Sequence, residues 1–331
     1  MNYQKTLSIL GHEKAEAILA HSIVSGKIFP TWIFQGPFGV EKSTVAHRFA
    51  KCLLSGTVPS GPSLDIALEN PVHKLVRLRT HPDFFVLEQR EDTVSIDETR
   101  DLLQKIYKTP SLSQWKVLIL ENAANLNKNI YNSLLKVLEE PPKNTVIILI
   151  CDNIGHIPKT LLSRAAKLRF GAIDTRLVQK ALEDMGLEQA EKTAELSGGS
   201  IGAALYIHQH NGIAVFDRLL AAFGSEIEDR KKHLKYLLDQ KLCENFFIIK
   251  KNITHILKLH VAIISNSIDN EHSNEIKILQ NLRRKNIFGS VDAEIKKVLE
   301  IITLLNSGEH LMLDKNALLV HVFEKFFPGE W

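Results

Sequence analysis

The first half of the chain alternates short apolar runs with stretches whose apolar residues recur at helical spacing. The runs are Trp32 to Phe34, Phe84 to Leu87 behind the turn His81-Pro82-Asp83, Lys116 to Leu120, and Thr145 to Cys151. The last two are almost unbroken, which predicts strands buried on both faces of a parallel sheet. Among the helical stretches, Ala15, Ile18, Leu19 and Ile23 share one face over His12 to Ser25, and Val45 to Leu54 is amphipathic. Asn129 to Glu140 is helical up to the stop at Pro141 and Pro142. Ser95 and Asp97 are candidate caps for a helix to about Tyr107, with Asp97, Glu98 and Asp101 placed in its first turns. Ser55 to Asn70, rich in Gly, Pro and Ser, reads as a surface excursion. Strands alternating with helices predict a doubly wound α/β domain whose site lies along the C-terminal rim of its strands.

The β signal fades from about Gly171. Thr175 to Gly186, Gln189 to Leu196 and Ser200 to His208 are short helical runs, with Gly198 and Gly199 as a break between the last two. Helical periodicity then continues to Trp331, as in Phe216 to Ala222, Lys232 to Leu238, Ala293 to Leu305 and Ala317 to Phe327. The expected organisation is an α/β domain over 1–170, a small helical domain over 171–207 and a larger helical domain over 208–331.

Composition narrows this only a little. At 331 residues the chain has room for two or three cores, and 44% hydrophobic with 24% charged residues are globular averages. Lys and Arg total 41 against 38 Asp and Glu, a formal charge of +3, which permits a nucleic-acid partner without requiring one. Cys52, Cys151 and Cys243 lie far apart, so neither a structural zinc nor a disulfide framework is expected. The N-terminus lacks the pattern of a signal peptide and no apolar run approaches membrane-spanning length, which predicts a cytoplasmic protein.

The candidate chemistry sits between Trp32 and Leu54. An apolar run opens into Gly36 and Gly39, then Lys42, Ser43 and Thr44 begin an amphipathic helix. This strand, tight loop and helix can cradle phosphates: backbone N–H groups turn onto the anion, lysine neutralises it and serine takes the magnesium ion. Gly36, Gly39, Lys42, Ser43 and Thr44 are therefore the candidate nucleotide-binding residues. Glu41 stands where the template G-x-x-x-x-G-K-[ST] has its second glycine, bringing a side chain and a negative charge. Elsewhere, His81 and Asp83 read as a turn with a capping Asp and a partly buried His. His208 and His210 are too few for a metal site. The basic clusters Arg230 to Lys235 and Arg283 to Lys285 read as solvated faces, with contact to DNA phosphates as the alternative.

Gly36 to Thr44, His81 to Asp83, Asn132 to Pro142 and Leu162 to Arg164 together resemble the clamp-loader subunits of the AAA+ superfamily, and within them the delta-prime group of bacterial DNA polymerase III. The stretch Leu134 to Pro142 carries most of that specificity, and the similarity covers residues 7 to about 207. The resemblance implies an AAA+ P-loop domain, a helical lid and an all-α collar domain. It also implies a five-subunit assembly, with gamma/tau-like and delta-like partners, that places the sliding clamp on primed DNA. In that family one subunit's ATP is completed by the next subunit's arginine in a Ser-Arg-Cys motif, here Ser163, Arg164 and Ala165.

Active relatives carry Asp-Glu where this chain has Glu121 and Asn122, and Gly-Ser-x-Arg where it has Gly199 to Gly202. Asparagine cannot act as a base. The resemblance thus implies a non-hydrolysing subunit that donates Arg164 in trans, with residual ATP binding left open and no cofactor required. The zinc module of many relatives is not expected, since only Cys52 lies near its place. The alternatives are an active gamma/tau-like motor subunit and a stand-alone DNA-binding protein.

Overall fold

Five strands, β1 (Thr31–Gln35), β2 (Phe84–Glu88), β3 (Lys116–Glu121), β4 (Thr145–Cys151) and β5 (Ala166–Arg169), form one parallel sheet in the order β2-β3-β4-β1-β5. The computed structural model describes residues 9–67, 69–88, 96–126, 128–239, 245–265, 267, 274–284, 291–310 and 314–329. Ser95, Cys243 and Lys285 lie outside these, as do the side chains of Asp97, Glu98, Arg283 and Arg284.

The central strands are apolar through their interiors because both faces are covered. Val117, Ile119, Val146 and Ile148 enter one core with α1 (Glu13–Val24), α2 (Lys42–Ser55) and α3 (Pro71–Arg77). Leu118, Leu120, Ile147 and Leu149 enter a second core with α4 (Ile96–Tyr107), α5 (Lys128–Glu139) and α6 (Lys159–Arg164). β1 lies between β4 and β5, so the loops leaving β1 and β4 open side by side, with α2 below one face and α6 below the other. Such a switch point is where open α/β sheets bind ligands.

Two elements were not expected. α3 follows the Gly/Pro-rich excursion, with Pro71 in its first turn and the Asn70 side chain accepting the Val72 N–H at 3.0 Å. β5 is an edge strand whose exposed Lys167 and Arg169 alternate with buried Leu168, a charged pattern that suits an edge but hides the strand from a search for apolar runs.

The chain divides into two compact units, Met1–Ala181 with Gly199–Gly202, and Leu182–Gly198 with Ala203–Trp331. The division falls within α7 (Thr175–Asp184). Backbone bonds explain why Gly199–Gly202 joins the α/β unit. The Ile173 N–H donates to Gly199 O at 2.8 Å, and the Gly202 N–H donates to Gly39 O at 2.9 Å.

The second unit is helical: α8 (Ala190–Ser197), α9 (Ile201–Gln209), which starts in the first unit, α10 (Gly212–Gly224), α11 (Ile227–Asp239), α12 (Phe246–Ile264), α13 (Asn274–Arg284), α14 (Val291–His310) and α15 (Lys315–Phe326). Its core gathers Phe216, Leu219 and Phe223 of α10, Ile249, Ile253 and Ile256 of α12, and Val322, Phe323 and Phe326 of α15. No described helix is long and apolar enough to cross a membrane.

Arg230, the first residue of a cluster considered for DNA phosphates, is only 4% exposed. Its Nε donates to Ala222 O at 3.1 Å and an Nη to Ser225 O at 2.5 Å, and its guanidinium lies 3.5 Å from the Phe327 ring centroid. It therefore satisfies carbonyls at the C-terminal end of α10, where a cation also meets the negative end of the helix dipole. Arg230→Ala should cost the second unit about 2–3 kcal/mol, from orphaned carbonyls and a lost cation–π contact. Denaturant unfolding measures this, and DNA titrations at two salt concentrations should show no change in a phosphate slope.

Candidate functional site

The loop from Gly36 to Glu41 leaves β1 and delivers Lys42, Ser43 and Thr44 into the first turn of α2. Gly36 is required here because a Cβ would stand 2.3 Å from Phe170 O on the neighbouring strand end. Val40 is held by His12, whose Nε2 donates to Val40 O at 2.8 Å; burial keeps this imidazole's pKa low, so it is the neutral ring that donates. Lys42 is 5% exposed and its ammonium donates to Gly36 O at 2.7 Å, Pro37 O at 2.6 Å and Asp152 Oδ1 at 2.8 Å. Ser43 Oγ donates to Glu121 Oε1 at the end of β3. Burial pushes the Glu121 carboxyl up, and the bond from Ser43 opposes it.

Each of the two side chains that would hold phosphate and magnesium is thus taken by a carboxylate of its own chain. As they stand, the Lys42 ammonium and the Ser43 hydroxyl are both engaged within the chain. Three N–H donors are all a lysine has, and here all three are used.

Glu41 acts differently from its sequence expectation. Its backbone is left-handed at φ 63°, the conformation that favours glycine, so the chain keeps the template's geometry at a strained residue. Its carboxylate accepts the Leu10 N–H at 3.0 Å, spending its charge on the segment entering α1. Burial raises its pKa, partly offset by that bond. Asn122 is also left-handed, at φ 50°, and begins a short 3-10 turn over Ala123–Asn125.

Gly202 is more than a missing arginine. A Cβ there would lie 2.7 Å from Gly39 Cα, so the start of α9 and the phosphate-type loop meet backbone to backbone, and Ser200 Oγ donates to Phe38 O at 2.8 Å. No side chain fits at 202 without moving the loop. This contact and the Lys42–Asp152 pair were both missed in the sequence. Asp152, just past β4, and Lys42 are 110 residues apart, and no local pattern links them.

Arg164 ends α6 just before β5, whose Ala166 pairs with Trp32, whereas Gly36 lies beyond the far end of β1. Four residues of strand separate the two, roughly 13 Å. The guanidinium is therefore on the opposite rim from Lys42 and is out of reach of its own chain's phosphate loop. Its side chain is 59% exposed, and Glu139 Oε2 stands 3.8 Å away, a loose surface pair. Ser163, also exposed, donates its hydroxyl to Thr160 O at 2.8 Å.

The remaining candidates are structural. His81 Nδ1 accepts the Asp83 N–H at 3.1 Å, and buried Asp83 accepts the N–H groups of Ser111, Leu112 and Ser113 at 2.7, 2.7 and 2.9 Å. His210 Nδ1 lies 2.9 Å from Tyr206 O and its ring stacks on Tyr206. Cys52 is buried with Sγ 3.1 Å from Leu64 O, and burial pushes its thiol up to about 12. Among the described residues no group of three His, Cys, Asp or Glu is placed to hold a metal ion.

Comparison with known proteins places this geometry. Residues 11–174 match the family described as DNA polymerase III, delta subunit. DNA polymerase III subunit delta-prime of Pseudomonas aeruginosa is 34% identical over 183 residues, 54% of this chain and 55% of that protein. The gamma subunit of Buchnera aphidicola (Acyrthosiphon pisum) is 27% identical over 211 residues, 61% of this chain and 57% of that protein. The tau subunit of Escherichia coli is 28% identical over 184 residues, 54% of this chain and 27% of that protein. A gamma subunit-related protein of Thermotoga maritima overlays with a TM-score of 0.42 at 17% identity, covering 93% of this chain and 96% of that one. The matches span little more than half the length of the first two relatives. Over residues 11–174 the chain is thus similar to the DNA polymerase III delta-subunit family, and over about half of its length it is similar to the delta-prime, gamma and tau subunits of that polymerase.

Proposed function

We propose that this chain is a non-hydrolysing, delta-prime-like subunit of a DNA polymerase III clamp loader, working in the cytoplasm with gamma/tau-like and delta-like partners to place the sliding clamp on primed DNA. Its role is to donate Arg164 to the ATP of a neighbouring subunit. The observation that carries this reading is the split between its two rims. Lys42 and Ser43 are bonded to the chain's own groups, while Arg164 stands exposed where only another molecule can use it. Asn122 adds to it, because a neutral amide beside Glu121 cannot take a proton from water.

The gamma and tau relatives match over a similar stretch, so the competing reading is a hydrolysing motor subunit. Steady-state ATP hydrolysis by the isolated protein separates the two. No turnover above background is expected, since losing a base or a charge-stabilising group costs roughly 10²-fold or more each. Turnover that disappears in Lys42→Ala would overturn the proposal in favour of the motor.

A further inference from the structure

Lys42 is held shut by partners of two kinds. Gly36 O and Pro37 O belong to the loop itself and are neutral, so a stronger anion can take their place. Asp152 belongs to the tip of β4, the strand beside β1, and carries a full negative charge 2.8 Å from the ammonium. The Lys42 side chain is 6% exposed and that of Asp152 is 55% exposed, so of the pair it is the carboxylate that faces solvent. A phosphate that binds Lys42 has to come within a few ångströms of this like charge. On the other side, Ser43 is already bonded to Glu121.

We infer that Asp152 is a positioning residue that closes Lys42 against nucleoside triphosphates. The loop's loss of phosphate affinity then rests on this internal ion pair as well as on the sequence changes at Glu41 and Asn122. The inference builds on the reading of Gly36 to Thr44 as a degenerate phosphate loop in a subunit that does not turn over ATP. Asparagine at 152 would keep the side chain's shape and one acceptor oxygen for Lys42 while removing the charge, and serine would remove both the charge and the reach.

The full-length chain, Asp152→Asn, Asp152→Ser and the double variant Asp152→Asn with Lys42→Ala would be titrated calorimetrically with magnesium ATP. In parallel, acetic anhydride labelling of Lys42 would be read by mass spectrometry. Removing a charge this close to the lysine should tighten ATP binding by about tenfold or more in both single variants. The double variant should lose that gain, and Lys42 should be acetylated faster in the single variants than in the natural chain. Equal affinity for the natural chain and both single variants, whether tight or undetectable, would overturn the inference, as would a gain that survives Lys42→Ala. None of these outcomes depends on Arg164. Failure here leaves the donor role standing, whereas ATP hydrolysis by the natural chain would overturn the non-hydrolysing reading and leave the affinity ratio to be judged by itself.

Discussion

Arg164→Ala should lower ATP turnover of the reconstituted assembly by about 10³-fold or more, the range in which arginine fingers act on phosphoryl transfer. The loss should appear in kcat, because the guanidinium is called on only when charge develops on the transferred phosphate. Folding and assembly should be untouched. The side chain is mostly solvated, and a surface pair with Glu139 at 3.8 Å is worth well under ~1 kcal/mol. Arg164→Lys should recover only part of the rate, since an ammonium supplies the charge without the planar fork that can engage two oxygens at once. Turnover by the Arg164→Ala assembly equal to that of the natural one, with a complex of unchanged mass, would end the donor role. The position makes the test clean: with the sheet between Arg164 and Lys42, an effect on turnover cannot be ascribed to damage in the chain's own loop.

Much of the α/β unit was legible because its strands are buried on both faces. Thr145 to Cys151 and Lys116 to Leu120 are apolar after their first residue, and the observed strands differ from those runs by one residue at most. The helices after β1 and before β4 were legible from an amphipathic stripe and from the stop at Pro141. What escaped notice is governed by other physics. The seven-residue α3 shows itself only through Asn70 as cap and Pro71 behind it, with Val72 and Val76 its only buried residues. β5 carries lysine and arginine because it is an edge. At the site, sequence identified the loop residues and the pair Glu121 and Asn122. It could not show that Lys42 turns to Asp152, that Glu41 turns to Leu10, or that Gly202 is pressed on Gly39, because each joins segments whose distance is set by the whole sheet. Arg230 was misread for the same reason: a cation in a basic run looks solvated until the carbonyls it caps are seen.

Asp83→Ala should be the most damaging single change away from the site, costing about 3–5 kcal/mol. Asp83 is fully buried, and its two oxygens accept N–H groups from Ser111, Leu112 and Ser113 together with the Ser113 hydroxyl. These bonds fold the connection between α4 and β3 onto the turn before β2, and the Asp83 carbonyl accepts the Val117 N–H at 3.0 Å where the β2–β3 ladder begins. Alanine would leave three inward-facing amides without their acceptor. Asparagine would turn two N–H donors toward groups that themselves donate, so it should rescue little.

The pH dependence gives a separate check. Burial alone would raise the Asp83 carboxyl, but the bonds from Leu112, Ser111 and Ser113 together outweigh it and hold the pKa below the ordinary value. A depressed folded-state pKa adds stability that is complete above the unfolded value, near ~4, and is lost as pH falls through the folded one. The difference in unfolding free energy between the natural chain and Asp83→Ala should therefore be flat from neutral pH to about 5 and shrink below about 4. A gap of the same size at pH 7 and in strong acid would mean that the carboxylate's charge does not hold this connection, and that the loss in Asp83→Ala is one of packing alone.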